Sequence, residues 1–444
     1  MISAFANCLK IPELRNRIFF TMGMVFVSRI ITAVPTPGVN AAELERAITA
    51  AQQKTGGGIL GWLDLFAGGA LSRCAVGALT IWPYISASII IQLMTAIIPT
   101  LERLQQEGET GRQKITQYTR YLTLAICCVQ GLFLAISLEN YAQLGFDRPI
   151  VMNPGWGFRL LTVLALTTAT MLLMWLGEQI TERGLGNGVS LIITVNIVSS
   201  LPQALAQVVQ MNNDPNITPF HFIALVLMIF LVTAGTILLT QGQRKVPIHS
   251  AKRVVGKKVY GGQNSYMPLR VNYGGVMPII FAGAMLTFPT MLIGRLPWDW
   301  AGTFSRLLAM GEPLYLAAYA GMIMFFSYFW VATQFNPLRI ADDLKKNSSY
   351  VPGIRPGRPT ADYLDTTMTK VTFFGALFLT VIAVIPDVLG AKFGVPWLVA
   401  SFMGGTSLLI IVAVVLDTMR QAESHLVMRH YDGFLNTGRI RGRR

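Results

Sequence analysis

The sequence predicts an all-α integral membrane protein with ten transmembrane helices in two inverted five-helix halves. Three observations carry this. Of 444 residues, 52% are hydrophobic and only 13% are charged, about half the charged share of a soluble domain. The apolar residues gather in ten long runs, and the mean hydropathy of the chain is +0.50. Two of those runs, five apart in order, share a proline-centred pattern. The composition excludes a soluble globular protein, a disordered chain and a disulfide scaffold.

A bilayer core of about 30 Å needs roughly 20 apolar residues as helix. The ten cores are Ile18–Val34, Cys74–Ile98, Tyr121–Leu138, Leu160–Gly177, Val189–Val209, Pro219–Thr240, Tyr273–Leu292, Leu314–Thr333, Lys370–Ile385 and Pro396–Leu416. Barrel strands are shorter and alternate in polarity, and these runs do not, so helices are expected. Lys10, Arg15 and Arg17 before the first run imitate a signal peptide. No small-residue cleavage site follows, so that run is expected to be retained.

Ten spans put both termini on one side, with the loops between spans 2–3, 4–5, 6–7 and 8–9. That side takes 27 basic and 13 acidic residues, a surplus equal to the +14 of the whole chain. The excess of Lys and Arg makes it the cytoplasmic side.

No cofactor or metal is expected. Cys8, Cys74, Cys127 and Cys128 form no C-x-x-C pair, and His221, His249, His425 and His430 lack metal spacing. Gly256-Lys257 lacks the upstream glycine and the following Ser/Thr of a phosphate loop, so no nucleotide hydrolysis and no enzyme activity are expected. Ionisable residues inside the spans are scarce. Arg29, toward the outer end of span 1, is the clearest, and it is placed to snorkel. That scarcity argues against an inverted-repeat small-solute permease, which needs coupling charges at mid-membrane.

Span 2 contains Ile81-Trp82-Pro83-Tyr84-Ile85-Ser86-Ala87, and span 7 contains Val276-Met277-Pro278-Ile279-Ile280-Phe281-Ala282. Pro83 and Pro278 lie 195 residues apart, and Ile85/Ile280 and Ala87/Ala282 keep the offset. Five spans separate the motifs, so they cross in opposite directions, as inverted repeats do. The halves are read as 1–209, spans 1–5, and 210–444, spans 6–10 with a basic tail.

Before span 2, Gly56-Gly57-Gly58 leads into a glycine-bounded apolar piece at about 61–73, too short to span. It reads as an interfacial half-helix or as a re-entrant segment in the mouth of a path. The loop 241–272 holds Arg244, Lys245, Lys252, Arg253, Lys257, Lys258 and Arg270 with no acid, and its Val254-Val255 and Lys257–Tyr260 stretches suggest an extended hairpin. In the loop 335–369, two X-Pro-Gly turns around Arg355 make a stiff tip, with Arg358 just beyond. Orienting helices or meeting anionic lipid would not require such shaped loops. A docking platform for ribosomal RNA or an acidic protein surface fits better. A purely structural anchor would need neither the re-entrant piece nor the paired prolines.

These residues resemble the SecY family, pore subunits of the bacterial protein-conducting translocon. The matching stretches are Pro35–Gly38, Phe66–Arg73, Pro83–Gln92, Thr181–Gly188, Ala251–Arg253, Pro352–Gly357 and Gly404–Ile410, in family order along essentially the whole chain. The resemblance implies a channel in the bacterial inner membrane, with both termini cytoplasmic. It passes unfolded precursors and releases transmembrane segments sideways into lipid. It implies a pore ring of Ile81, Ile85, Ile193, Ile280 and Ile410, each of which taken alone would read as an ordinary core or lipid-facing isoleucine. It implies a plug over about 61–73, including Gly61, Leu65, Phe66, Gly68, Gly69, Ser72 and Arg73. The lateral gate would be lined by Ser86, Ser88, Ile89, Gln92, Gln130 and Phe288. Docking would fall to Lys252, Arg253, Lys257, Lys258, Arg355 and Arg358. The implied partners are SecE-like and SecG-like small membrane subunits, the SecA motor ATPase, the ribosome through its RNA, signal sequences, unfolded precursors and membrane lipid.

Overall fold

A computed structural model describes residues 11–40, 43–44, 64–140, 150–211, 219–250, 253–255, 258–260, 264–293, 307–308, 312–393, 397–404 and 406–437. They divide into two compact units, 1–214 with 410–444, and 215–409.

In the first unit, α1 (Pro12–Ala33) ends where Val34 turns extended ahead of Pro35. A residue before proline is pushed out of the helical region, so the stop is local. Trp82-Pro83 opens α2 (Trp82–Ile97), with proline at a first-turn position where its missing N–H is not needed. Ile98 is extended before Pro99, and α3 (Pro99–Gln106) leaves at 104° to α2. Then come α4 (Glu109–Glu139) and α5 (Trp156–Arg183). The next apolar run is broken at Ser200 into α6 (Gly188–Ser199) and α7 (Leu201–Met211). Pro202 sits in the first turn of α7, where proline is tolerated. α4 packs on α5 and α2, and α1 on α5 and α6.

The second unit contains α8 (Pro219–Gln241), α9 (Met277–Ile293), α10 (Pro313–Gln334), α11 (Pro337–Lys346), α12 (Arg358–Phe393) and α13 (Trp397–Gly404). α10 packs on α9 and α12, and α13 on α8 and α12. α12 has 36 residues, about 54 Å of helix at about 1.5 Å per residue, so it outreaches a bilayer core of about 30 Å. α14 (Thr406–Thr437) begins in this unit and continues in the first.

Seven stretches among the described residues are long and apolar enough to cross a membrane, and the bent pair α2–α3 would make an eighth. The other two expected spans correspond to α1, diluted by Arg17 and Arg29, and α9, only 17 residues long. Span 2 departs from expectation. The apolar run from Cys74 predicted helix, but residues 70–81 form turns, with Cys74 at φ 44° and Thr80 at φ 50°.

Candidate functional site

Residues 64–76 form a self-bonded element that does not span. One helical turn at 64–67 gives way to turns. The Asp64 carboxylate accepts from the Ser72 N–H at 2.9 Å, the Asp64 carbonyl accepts from Gly69 N–H at 3.0 Å, and the Ser72 hydroxyl donates to the Gly69 carbonyl at 3.0 Å. Burial pushes the Asp64 carboxyl above the ordinary range, while the bonds from Ser72 pull it back. The element is stitched to the end of α1, with Thr36 N–H donating to the Cys74 carbonyl and Val76 N–H to the Val34 carbonyl, both at 2.8 Å. Leu65, Phe66, Ala67, Ala70 and Ala75 are buried, and the Phe66 ring lies 5.8 Å from that of Trp82. Of the residues expected here, Leu65, Phe66, Gly68, Gly69, Ser72 and Arg73 belong to this element, and Gly61 lies outside the described residues.

The tip of the element meets α6. Ser199 Oγ donates to the Gly68 carbonyl at 3.3 Å and to the Asn196 carbonyl at 2.7 Å. Arg29, half-buried on α1, reaches a partner on α6. Its Nη1 donates to Asn196 Oδ1 at 3.0 Å. Gly68 adopts φ +64°, and a Cβ there would stand 2.7 Å from Arg29 Nη1, 2.7 Å from Ser199 Oγ and 2.9 Å from the Asn196 carbonyl oxygen. Neither Asn196 nor Ser199 was flagged by sequence reasoning. The available signal was a carboxamide inside an apolar run, where polar groups need partners.

All five candidate ring isoleucines are buried. Ile81 precedes α2, and its carbonyl accepts from Ile85 N–H at 3.0 Å, so the two lie one turn apart. Ile193 is on α6, three residues before Asn196. Ile280 sits in the first turn of α9, beside Phe281, whose ring packs edge-on against Phe326 and Trp330 of α10. Ile410 lies just past the α13–α14 break, across which the Ser401 and Ser407 hydroxyls are 3.1 Å apart.

On α2, Ile89 is buried, Ser86 and Ser88 are half-buried and Gln92 is exposed; Gln130 on α4 is half-buried. The Ser86 hydroxyl donates within its own helix, to the Trp82 carbonyl. Phe288 belongs to α9, and its side chain lies outside the described residues.

The turn at the head of α6 is fixed by small groups. Asn187 Oδ1 caps the helix by accepting from Ser190 N–H at 3.3 Å. A Cβ at Gly188 would overlap the Gly177 carbonyl, so only glycine allows α5 and α6 to approach this closely. Gly186 N–H donates to the Gln421 side chain of α14, and Leu185 N–H to the Thr21 hydroxyl of α1.

The two long loops of the second unit join in one sheet. β1 (Gln243–Ser250) pairs with β4 (Asn264–Arg270), and also with β5 (Ser349–Tyr350) through His249↔Tyr350. One face is anchored by Val246, Leu269, Phe335, Val351, Leu364 and Met368, the last two on α12. Arg244, Lys245 and Arg270 remain exposed. The expected hairpin is present as β2 (Arg253–Val255) paired with β3 (Lys258–Tyr260). Lys252 and Lys257 lie outside the described residues, as do the side chains of Arg253 and Lys258. Arg355 is exposed between Gly353 at φ +82° and Gly357 at φ +101°. Its carbonyl accepts from the Thr360 hydroxyl at 2.8 Å, which stiffens the tip. Arg358 is exposed at the start of α12.

The family model described as SecY matches residues 75–419. The protein translocase subunit SecY of Escherichia coli (strain K12) is 43% identical over 437 residues, covering 97% of this chain and 96% of that relative. Its counterpart in Chlamydia trachomatis is 41% identical over 459 residues, with both chains covered in full. Among solved structures, one described as a protein conducting channel aligns with TM-score 0.63 at 16% identity, over 93% of this chain and 92% of that one. A channel in a study of how the SecY plug domain stabilises the closed state aligns with TM-score 0.62 at 17% identity, over the same shares.

Proposed function

The chain belongs to the SecY family, and from that premise we propose that its residues divide among a seal, a gate and a docking platform. It is the protein-conducting channel subunit of a Sec translocase, with the ten-helix fold of that family. It passes unfolded secretory proteins across the membrane and releases transmembrane segments laterally.

The observation that carries the division is the element 64–76, non-spanning, closed on itself and docked on α6. We read it as the plug. Ile81, Ile85, Ile193, Ile280 and Ile410 form the constriction. An aliphatic neck resists wetting and so blocks ions, and it offers a passing chain no polar site to stick to. Ser86, Ser88, Ile89, Gln92, Gln130 and Phe288 line the lateral gate. Polar contacts between membrane helices are worth about 1 kcal/mol each, weak enough for a hydrophobic segment to part them.

Energy comes from a partner. The sheet that ties the loop 241–272 to the loop around Arg355 lets one docked partner bear on both. Arg355 and Arg358 meet the SecA motor, and the basic hairpin with Lys252, Arg253, Lys257 and Lys258 meets ribosomal RNA or SecA. SecE-like and SecG-like subunits complete the complex. The protein resides in the bacterial inner membrane with both termini cytoplasmic, because the cytoplasmic side carries the basic surplus.

Reconstitution tests the reading. Vesicles holding this chain with its small partner subunits, supplied with SecA and ATP, should shelter a signal-bearing precursor from added protease. An absence of protected precursor, with the chain correctly inserted, would overturn it.

A further inference from the structure

One polar cluster belongs to neither the ring, the gate nor the platform. Arg29 of α1 and Asn196 and Ser199 of α6 converge on Gly68. Asn196 is 1% exposed in a largely apolar helix, where a buried carboxamide needs a partner. Arg29 supplies it at 3.0 Å. Ser199, three residues on, reaches the Gly68 carbonyl. Together they leave no room for even a methyl group at Gly68, the left-handed tip of the self-bonded element.

We propose that Arg29, Asn196 and Ser199 are a polar seat that holds the plug closed. Ser199 binds the Gly68 carbonyl, and Asn196 is a positioning residue that sets the Arg29 guanidinium as the wall of the seat. The proposal rests on the reading of residues 61–73 as the plug and adds what fixes it at rest. The chemistry suits a contact that must break often. When the plug lifts, water replaces the lost hydrogen bond, so the net cost is a fraction of its gross strength. Ile193 lies three residues before Asn196 on the same face of α6, about 4.5 Å along the axis. A chain that pushes on Ile193 therefore disturbs the seat one turn away, which couples occupancy of the ring to release of the plug.

The test measures ion leak through the full chain, purified with its small partner subunits, in planar bilayers. The variants are Asn196→Leu, Gly68→Ala, their double, and Asn196→Asp, which keeps an acceptor for Arg29. Each of the first two should raise leak about tenfold, equivalent to about 1.4 kcal/mol. The double should leak no more than the stronger single, because both remove one contact. Asn196→Asp should stay within about threefold of wild type, a difference below about 0.7 kcal/mol. Wild-type leak in Asn196→Leu, or a double whose effect is the product of the singles, would overturn the seat. If Asn196→Leu does not accumulate, Ser199→Ala takes its place in the same cycle with the same expectation. Deletion of residues 64–72 separates the two levels. If the deletion leaks and Asn196→Leu does not, the seat alone fails; if the deletion does not leak, the plug reading fails.

Discussion

Gly68→Ala and Gly69→Ala make a controlled pair at the tip of the non-spanning element. Both glycines have positive φ, +64° and +79°, so alanine at either costs roughly 1–2 kcal/mol of backbone strain. Their surroundings differ. A Cβ at Gly69 meets only Ser72 Oγ, at 3.9 Å, an ordinary contact. A Cβ at Gly68 meets two side-chain atoms at 2.7 Å and the Asn196 backbone oxygen at 2.9 Å. The side chains can shift, but a carbonyl in a packed helix cannot, so the tip must retreat by several tenths of an ångström. The Ser199–Gly68 bond, already 3.3 Å, does not survive that retreat. Overpacking of this kind costs about 1–3 kcal/mol, and displacing the element relieves it. The displaced population should therefore rise about 5- to 150-fold in Gly68→Ala and much less in Gly69→Ala. Single-channel recording of resting leak reads the difference. Equal leak from the two variants would refute the reasoning, since strain alone would then account for both.

Three further outcomes follow from the same geometry. Ile410→Asn, at a buried position next to the α13–α14 break, places an amide in the proposed aliphatic constriction; resting conductance should rise severalfold and precursors with weakened signal sequences should be secreted more readily, and wild-type values of both would count against the ring. Arg355→Glu should abolish SecA-driven secretion while the chain accumulates and inserts normally, because the substitution reverses charge at an exposed, stiffened tip; a pulse-chase assay of secretion checks it. Gly188→Ala should lower the detergent melting temperature and the yield, since its Cβ would overlap the Gly177 carbonyl, a clash expected to cost about 3 kcal/mol or more; unchanged melting would mean that α5 and α6 are not held together there.

Much of the architecture was legible because apolar run length and proline position are local signals. Pro83, Pro99, Pro202, Pro313 and Pro337 each sit at a helix start, as the missing N–H dictates. Residues 74–81 were misread because Cys74-Ala75-Val76 and Ala78-Leu79 are apolar enough for helix. Their conformation is set instead by pairing with Val34 and Thr36, some 40 residues upstream. The same limit hid the joint between the two loops of the proposed platform. His249↔Tyr350 links residues about 100 apart, and no local pattern encodes that pairing. The Arg29–Asn196 contact was hidden too, because the significance of Asn196 depends on which helix lies beside it. The charge pattern pointed to the two basic loops, and the sheet register joins them.

The most direct measurement is site-specific photocrosslinking from position 280 to a secretory precursor stalled during passage. Position 230 serves as reference, since Phe230 is 72% exposed on α8 and is expected to face lipid. An adduct at 280 and none at 230 is the predicted result. No adduct at 280 in a chain that inserts and secretes normally, or equal adducts at both positions, would contradict the claim that precursors pass the ring of isoleucines.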